Sequence, residues 1–270
     1  MPGRPIWTVP VACVAAPRHL GCPPPARIAA LALVLVVALN ATLPACPRHG
    51  ADMMLEPHTA ALLVDYFEIF LRDQDVAAFR RSVLARYTDG TLARLVRSGG
   101  AQARRAAVLA LGLNGTFDAN PVVAAALRDP DPTVRDLAQS ALWAIWFRAD
   151  SLEHNAMLQE VRDLNDRQRY QEAFDLATRL IARSPHFAEA FNQRAIAAFF
   201  LDRLPDSEAD CLRALERNPY HTGAISGLGQ CYIRMGRRAE ALKTFRRALK
   251  LQPYSRGLRE TVSALEEAAD

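Results

Sequence analysis

Histidine and cysteine are the side chains here best suited to metal binding or nucleophilic chemistry, and their spacing supports neither. Cys13, Cys22, Cys46, Cys211 and Cys231 form no C-x-x-C pair, so neither a zinc site nor a thioredoxin-like motif is indicated. Cys211 and Cys231 fall on expected helices and are read as reduced core residues, because a free cysteine packs as a small hydrophobe. His154, His186 and His221 sit at the boundaries of a repeat set out below, where they are expected to cap helices or face water. Residues 59–153 hold no histidine, and the chain has no H-E-x-x-H, no G-x-S-x-G and no phosphate-cradling glycine loop. No catalytic residue, metal ligand or cofactor is therefore expected, and the chain is read as a non-enzyme. The triplets Asn40-Ala-Thr and Asn114-Gly-Thr match glycosylation acceptors, a short pattern that recurs by chance.

The remaining chemical signal is charge. Arg234, Arg237, Arg238, Lys243, Arg246, Arg247 and Lys250 face Glu240 alone in their stretch, a composition that could meet an acidic protein, RNA or an anionic lipid surface. Lys243, Arg246, Arg247 and Lys250 recur at three and four, as a solvated helix face does. No aromatic rings interleave as stacking platforms, so nucleic acid is not the expected partner. The net charge of +4 adds nothing to that case, since Arg4, Arg18, Arg27 and Arg48 against Asp52 place +3 of it in residues 1–53.

The elements that must position these residues are helices. Ala, Leu and Arg are abundant, aromatics make up 7%, and β-branched runs are few. Residues 1–53 stand apart as a Pro-rich segment that no helical period survives. Within it an apolar run from Ile28 to Leu39 follows Arg27 and precedes small residues, which suits a secretory signal better than a span of about 20 residues. Leu43-Pro44-Ala45-Cys46 faintly resembles a lipoprotein cleavage box, with Pro44 a poor fit. Two readings stand side by side. The protein is exported or membrane-associated, through residues 28–46 only, if residues 1–46 are translated; it is cytoplasmic if the start is Met53 or Met54.

A helical domain is expected over 54–150. Leu62, Leu63, Tyr66, Phe67 and Phe70 draw one apolar stripe, and Val76, Phe79, Val83, Leu84 and Tyr87 a second, ended at Thr88-Asp89-Gly90. Leu92, Leu95 and Val96 mark a third helix before Gly99-Gly100. The stretch 103–112 then recurs about 31 residues later as 134–142, with Val122 to Leu127 as the returning helix, and this segment resembles HEAT repeats. Asp131 is placed to cap the second unit, with Pro132 in its first turn. Trp143, Trp146 and Phe147 are expected to form a buried seam against the first C-terminal repeat.

Over 151–270 the chain repeats. Pro185, Pro219 and Pro253 are 34 residues apart, and the same shift superimposes Ala173, Ser207 and Ala241; Leu180, Ala214 and Ala248; and Ile181, Leu215 and Leu249. Small residues let paired helices approach, a proline ends each second helix, and large residues such as Phe191, Leu228, Tyr232 and Phe245 fill the space between pairs. One pair cannot bury both its faces, so stacking is obligatory. The period and residue types resemble the tetratricopeptide repeat, with units at 154–187, 188–221 and 222–255. The third is the closest in type and the first departs most, with Glu160 and Val161 where Leu and Gly are usual. A polar terminal cap follows over 256–268, with Leu258, Val262 and Leu265 inward. The fold class is thus all-α: an α-solenoid of stacked antiparallel helix pairs, HEAT-like in front, with three tetratricopeptide units and a capping helix, preceded by an irregular N-terminal segment.

The resemblance implies a protein–protein interaction scaffold that holds a partner peptide or helix in a concave groove lined by first helices. Carried onto this chain, that groove comprises Gln159, Arg162, Asn165, Asp166, Asn192, Gln193, Phe199, Phe200, Gln230, Ile233 and Arg234. The alternative is a membrane- or envelope-associated assembly or anchoring protein. A subclass of the family clamps chaperone C-terminal carboxylates with Lys, Arg and Asn. The matching places here are Leu158, Arg162, Gln193, Gly223 and Gly227, where only Arg162 is cationic, so that ligand is not expected.

Overall fold

A computed structural model describes residues 57–267. The apolar run at 28–46, the alternative starts Met53 and Met54, the Asn40 triplet and Cys13, Cys22 and Cys46 lie outside those residues. Among the described residues no helix is long and apolar enough to cross a membrane.

The front half comprises α1 (Pro57–Asp73), α2 (Val76–Leu84), α3 (Asp89–Ser98), α4 (Ala101–Asn114), α5 (Asn120–Ala125) and α6 (Pro132–Trp146), with short 3-10 turns on either side of α5. Its starts are written in short polar side chains. Asp75 accepts from the Ala78 amide, Thr88 from Thr91, and Asp131 from Thr133 and Val134. Leu63, Phe67, Phe70, Phe79, Val83, Tyr87, Leu92, Leu95 and Val96 are buried as their stripes require. Leu84 is the exception at 61% exposed, the last residue of α2, although its neighbour Val83 is buried. Helices α4 and α6 pack flank to flank across Gly112, where a Cβ would stand 2.7 Å from that of Ala141. The α4–α5–α6 unit covers the segment expected from the sequence to be HEAT-like, and its second half is locked on by ion pairs from Arg104 to Asp129 (2.7 Å) and Arg105 to Asp131 (2.6 Å).

Seven helices follow: α7 (Leu152–Asp166), α8 (Tyr170–Arg183), α9 (Ala188–Phe200), α10 (Leu204–Arg217), α11 (Thr222–Arg234), α12 (Arg238–Leu251) and α13 (Arg256–Glu267). Each packs on the next, and α9 also touches α7 and α11, so α7, α9 and α11 form an inner layer with α8, α10 and α12 outside. Pro185, Pro219 and Pro253 each follow the C-cap residue of an outer helix. Those caps, Ser184, Asn218 and Gln252, share one backbone shape (φ −134°, −139° and −125°) and donate their amides to Leu180, Ala214 and Ala248. Tight pairing is where small residues are obligatory: a Cβ on Gly229 would lie 2.6 Å from the Phe245 ring. Ser207, standing where the other units have alanine, satisfies its buried hydroxyl by donating to the Ala195 carbonyl at 2.8 Å. Val262 and Leu265 seat α13 on the last pair.

Candidate partner-binding surface

The inner layer is positioned by the turn inside each pair. Gln168, Asp202 and Gly236, again 34 residues apart, hold the left-handed backbone that reverses the chain (φ 61°, 63° and 73°). The next residue is arginine every time, and Arg169, Arg203 and Arg237 reach the acid three positions on: Glu172, Asp206 (2.7 Å) and Glu240 (2.9 Å). Sequence reasoning missed this column, although the interval that aligned the prolines also aligns it.

Much of the expected groove is enclosed. Glu189 and His221, each 1% exposed, are joined at 2.7 Å. The His221 Nδ1 accepts from the Ala224 amide, so its Nε2–H donates to Glu189. Asn192 and Gln193 donate to the other oxygen of Glu189, and Asn165 donates to the backbone and side-chain oxygens of Gln193. His221 thus caps α11 as expected but does not face water.

Helix α6 lies against the turns that start the inner helices. The Trp146 ring stacks on His221 with centroids 4.2 Å apart, while its Nε1 donates to Asn120, which in turn donates to Asn218. Gln139 meets Thr222 and Gln252, and the Arg135 guanidinium covers Tyr254 at 4.2 Å. Phe147 packs with Leu158, Leu180, Phe187 and Ala190, and Trp143 joins them. The aromatic seam therefore exists but runs further than expected, from the first repeat to the turn before the third.

Consequently Asn165, Asn192, Gln193 and Gln230 are corrected from groove lining to buried residues. The first three spend their amides inside the stack, and none offers a free surface. Gln159 faces elsewhere: it lines an open cleft of about 690 Å³ with Asn114, Phe117, Phe147, Arg148 and Leu152, between the end of α4 and the start of α7. Arg148 there is structural, its guanidinium closing the end of α4 through the Gly112 carbonyl at 2.7 Å; burial lowers its pKa, and Arg80 nearby adds to that.

Six expected residues do share a surface, at the C-terminal ends of the inner helices. Phe200, 38% exposed, stacks on Tyr170 (4.7 Å) and takes Phe199 edge-on (5.5 Å). The Arg234 guanidinium lies over Phe199 at 4.6 Å, donates to its carbonyl and pairs with Asp202. Ile233 is half-buried beside it on α11. On α7, Arg162 faces the Trp143 and Phe147 rings at 5.6 and 5.7 Å and pairs with Asp166 at 3.6 Å. Burial raises the Asp166 carboxyl, with Arg162 opposing and Asp163 reinforcing the shift, and the Tyr170 hydroxyl is raised by burial and by Asp166. The result is an aromatic strip between two guanidiniums, suited to an apolar side chain with polar neighbours.

Nothing in this arrangement is nucleophilic. The nearest approach to a hydrolytic set is Ser184, His154 and Asp150, but Ser184 and the His154 ring both bond to Asp150 and not to each other. That trio ties the α6–α7 loop to the end of α8. Cys211 and Cys231 are buried thiols in the second and third pairs, with Cys231 donating to Ser207 at 3.1 Å.

The family description "Tetratricopeptide repeat" matches residues 223–255, the third unit. The chain is 28% identical over 140 residues to a TPR repeat-containing protein of Rhizobium etli, covering 52% of this chain and 69% of that protein. It is likewise 28% identical over 111 residues to Hsp70-Hsp90 organizing protein 1 of Glycine max, covering 40% of this chain and only 19% of that one. Among solved structures, the first TPR of Spaghetti (RPAP3) bound to HSP90 peptide SRMEEVD shares 25% identity with a TM-score of 0.43, covering 44% of this chain and 95% of that one. Three helix pairs turn at equivalent prolines and the third carries the family's own pattern, so this chain is similar to tetratricopeptide repeat proteins.

Proposed function

We propose that the protein is a non-catalytic interaction module whose partner is a segment of another protein, held at the C-terminal ends of α7, α9 and α11. The observation that carries this is the strip of Tyr170, Phe199, Phe200 and Ile233 flanked by Arg162 and Arg234, the part of the inner layer that α6 leaves open. A helix or extended peptide would set one large apolar side chain against Phe200 and place acidic or carbonyl oxygens near the guanidiniums. Similarity to Hsp70-Hsp90 organizing protein 1 supports a protein partner. An acidic chaperone terminus is a poor fit, because Leu158 and Gln193 are buried and only Arg162 is cationic at the corresponding places. A synthetic SRMEEVD peptide is accordingly expected to show no saturable binding in calorimetry; tight binding would contradict this choice of ligand.

Phe200→Ala removes the exposed ring of the strip and Arg234→Glu reverses the charge over Phe199. Each is expected to weaken partner binding by about tenfold or more, as truncation of an aromatic or arginine anchor does. Partner binding unchanged in both variants, with their helical content intact, would sink the proposal.

A further inference from the structure

Two buried thiols have no part in the inner surface. Cys231 on α11 reaches α10 at Ser207, its Sγ 3.1 Å from the hydroxyl oxygen, and Cys211 stands one turn further along the same face of α10. Both thiols are fully buried, and each sulfur is the other's hydrogen-bond partner. The repeat places them together independently. A shift of 34 residues aligns Cys211 with Ala177 and Cys231 with Ala197, and those two alanines share one small core cluster between the first and second pairs. Cys211 and Cys231 thus face each other across the seam between the second pair and the third.

Packing alone does not require thiols here, since alanine fills both facing positions of the first seam and is fully buried at each. The pair is also polarised. Its hydrogen bond with Cys211 lowers the Cys231 pKa, and Ser207 and Arg234 add to this against burial and the charge of Glu208. Cys231 and burial push the Cys211 thiol well up. The thiolate is the reactive form, so Cys231 is the attacking sulfur and Cys211 the resolving one.

We propose that Cys211 and Cys231 are a reversible oxidation site, joined by hydrogen peroxide into a disulfide that locks the second repeat to the third. Local opening of the seam admits the peroxide. The Cys231 thiolate attacks one peroxide oxygen: an S–O bond forms, the O–O bond breaks, and the departing hydroxide takes up the proton Cys231 released and becomes water. The Cys211 sulfur then attacks the sulfenic acid. The S–S bond forms, the S–O bond breaks, and the second hydroxide leaves as water with the Cys211 proton. Two thiols lose two electrons and one peroxide becomes two waters; a dithiol reductant reverses the link by exchange. Bonding asks the side chains to turn until their Cβ atoms stand about 3.5–4.5 Å apart, a change local to α10 and α11. The closed loop carries Asn218 and His221, the residues that Asn120 and Trp146 meet from the front half.

The test treats the full reduced chain with hydrogen peroxide, alkylates the remaining thiols and maps tryptic peptides by mass spectrometry. Peptides 204–213 and 218–234, which carry Cys211 and Cys231, are expected as one species, lighter by two hydrogens than the separate pair and split by dithiothreitol. The oxidised chain is expected to show a higher denaturation midpoint than the reduced chain, because the bridge restricts the unfolded state. Cys211→Ala and Cys231→Ala copy the residues of the first seam, so both are expected to fold, and neither to gain stability from peroxide. Overturning results are both thiols still alkylated after peroxide, either one joined to Cys13, Cys22 or Cys46, or a sulfinic acid at Cys231 beside a free Cys211. A midpoint that peroxide does not raise, or raises equally in the alanine variants, would overturn the lock as well.

Discussion

At the scale of single residues, the polar groups held inside the fold give the sharpest tests. Burial alone would push the Asp131 carboxyl upward, but the Arg105 guanidinium and the amides of Thr133 and Val134 outweigh it and hold the pKa below the usual carboxylate value. A group with a lowered folded pKa stabilises the fold fully above its unfolded value, near pH 4, and that contribution is lost as pH falls through the folded value. Asp131→Asn is thus expected to destabilise the protein by about 1–2 kcal/mol at neutral pH, with the difference from wild type shrinking in denaturant titrations below pH 4. A constant difference from pH 7 to pH 3 would show that the carboxylate is not the source. Glu189 is a harsher case, since it accepts from His221, Asn192 and Gln193 together. Glu189→Ala would strand three buried donors and is expected to cost about 3 kcal/mol or more.

At the scale of elements, the 34-residue interval was readable because each column has its own physical cause: proline ends outer helices, and small residues admit their partners. The front-half stripes were equally plain, apart from Leu84, the exposed last residue of α2. The left-handed turn residues were harder to see, since Gln168 and Asp202 stand where only Gly236 announces the conformation. A non-glycine residue there costs about 1 kcal/mol. Gln168→Gly is therefore expected to stabilise the protein by about 0.5–1 kcal/mol and Gly236→Ala to destabilise it similarly, both measurable as shifts in the denaturation midpoint. Destabilisation by Gln168→Gly would contradict the strain assigned to that turn. The groove was less legible for a reason local to one helix. Repeat logic assigns first-helix positions to a concave face, but it is silent on α6, whose Trp143, Trp146 and Gln139 reach onto those same turns. Asn165, Asn192 and Gln193 were lost to the interior by bonding with one another and with Glu189, and Gln230 is buried in the same stack.

At the scale of the whole molecule, α6 makes the two halves one object. Polar ties at Asn120–Asn218, Gln139–Thr222 and Gln139–Gln252 accompany the stacking of Trp146 on His221. Denaturation of a Trp7→Phe variant followed by tryptophan fluorescence, which then reports the Trp143 and Trp146 seam, is expected to coincide with loss of helical circular dichroism in one transition. Two separated transitions would mean that the seam opens on its own. The proposed partner would meet the far ends of the inner helices, beyond this brace, which is the central functional claim. Site-specific photocrosslinking tests it most directly: a benzoyl-phenylalanine placed at Phe200 or Ile233, compared with one at Ala239 on the exposed side of α12. The same partner protein should be trapped from both inner positions and not from Ala239; crosslinks at Ala239 with none at Phe200 or Ile233 would place the partner elsewhere and contradict the account.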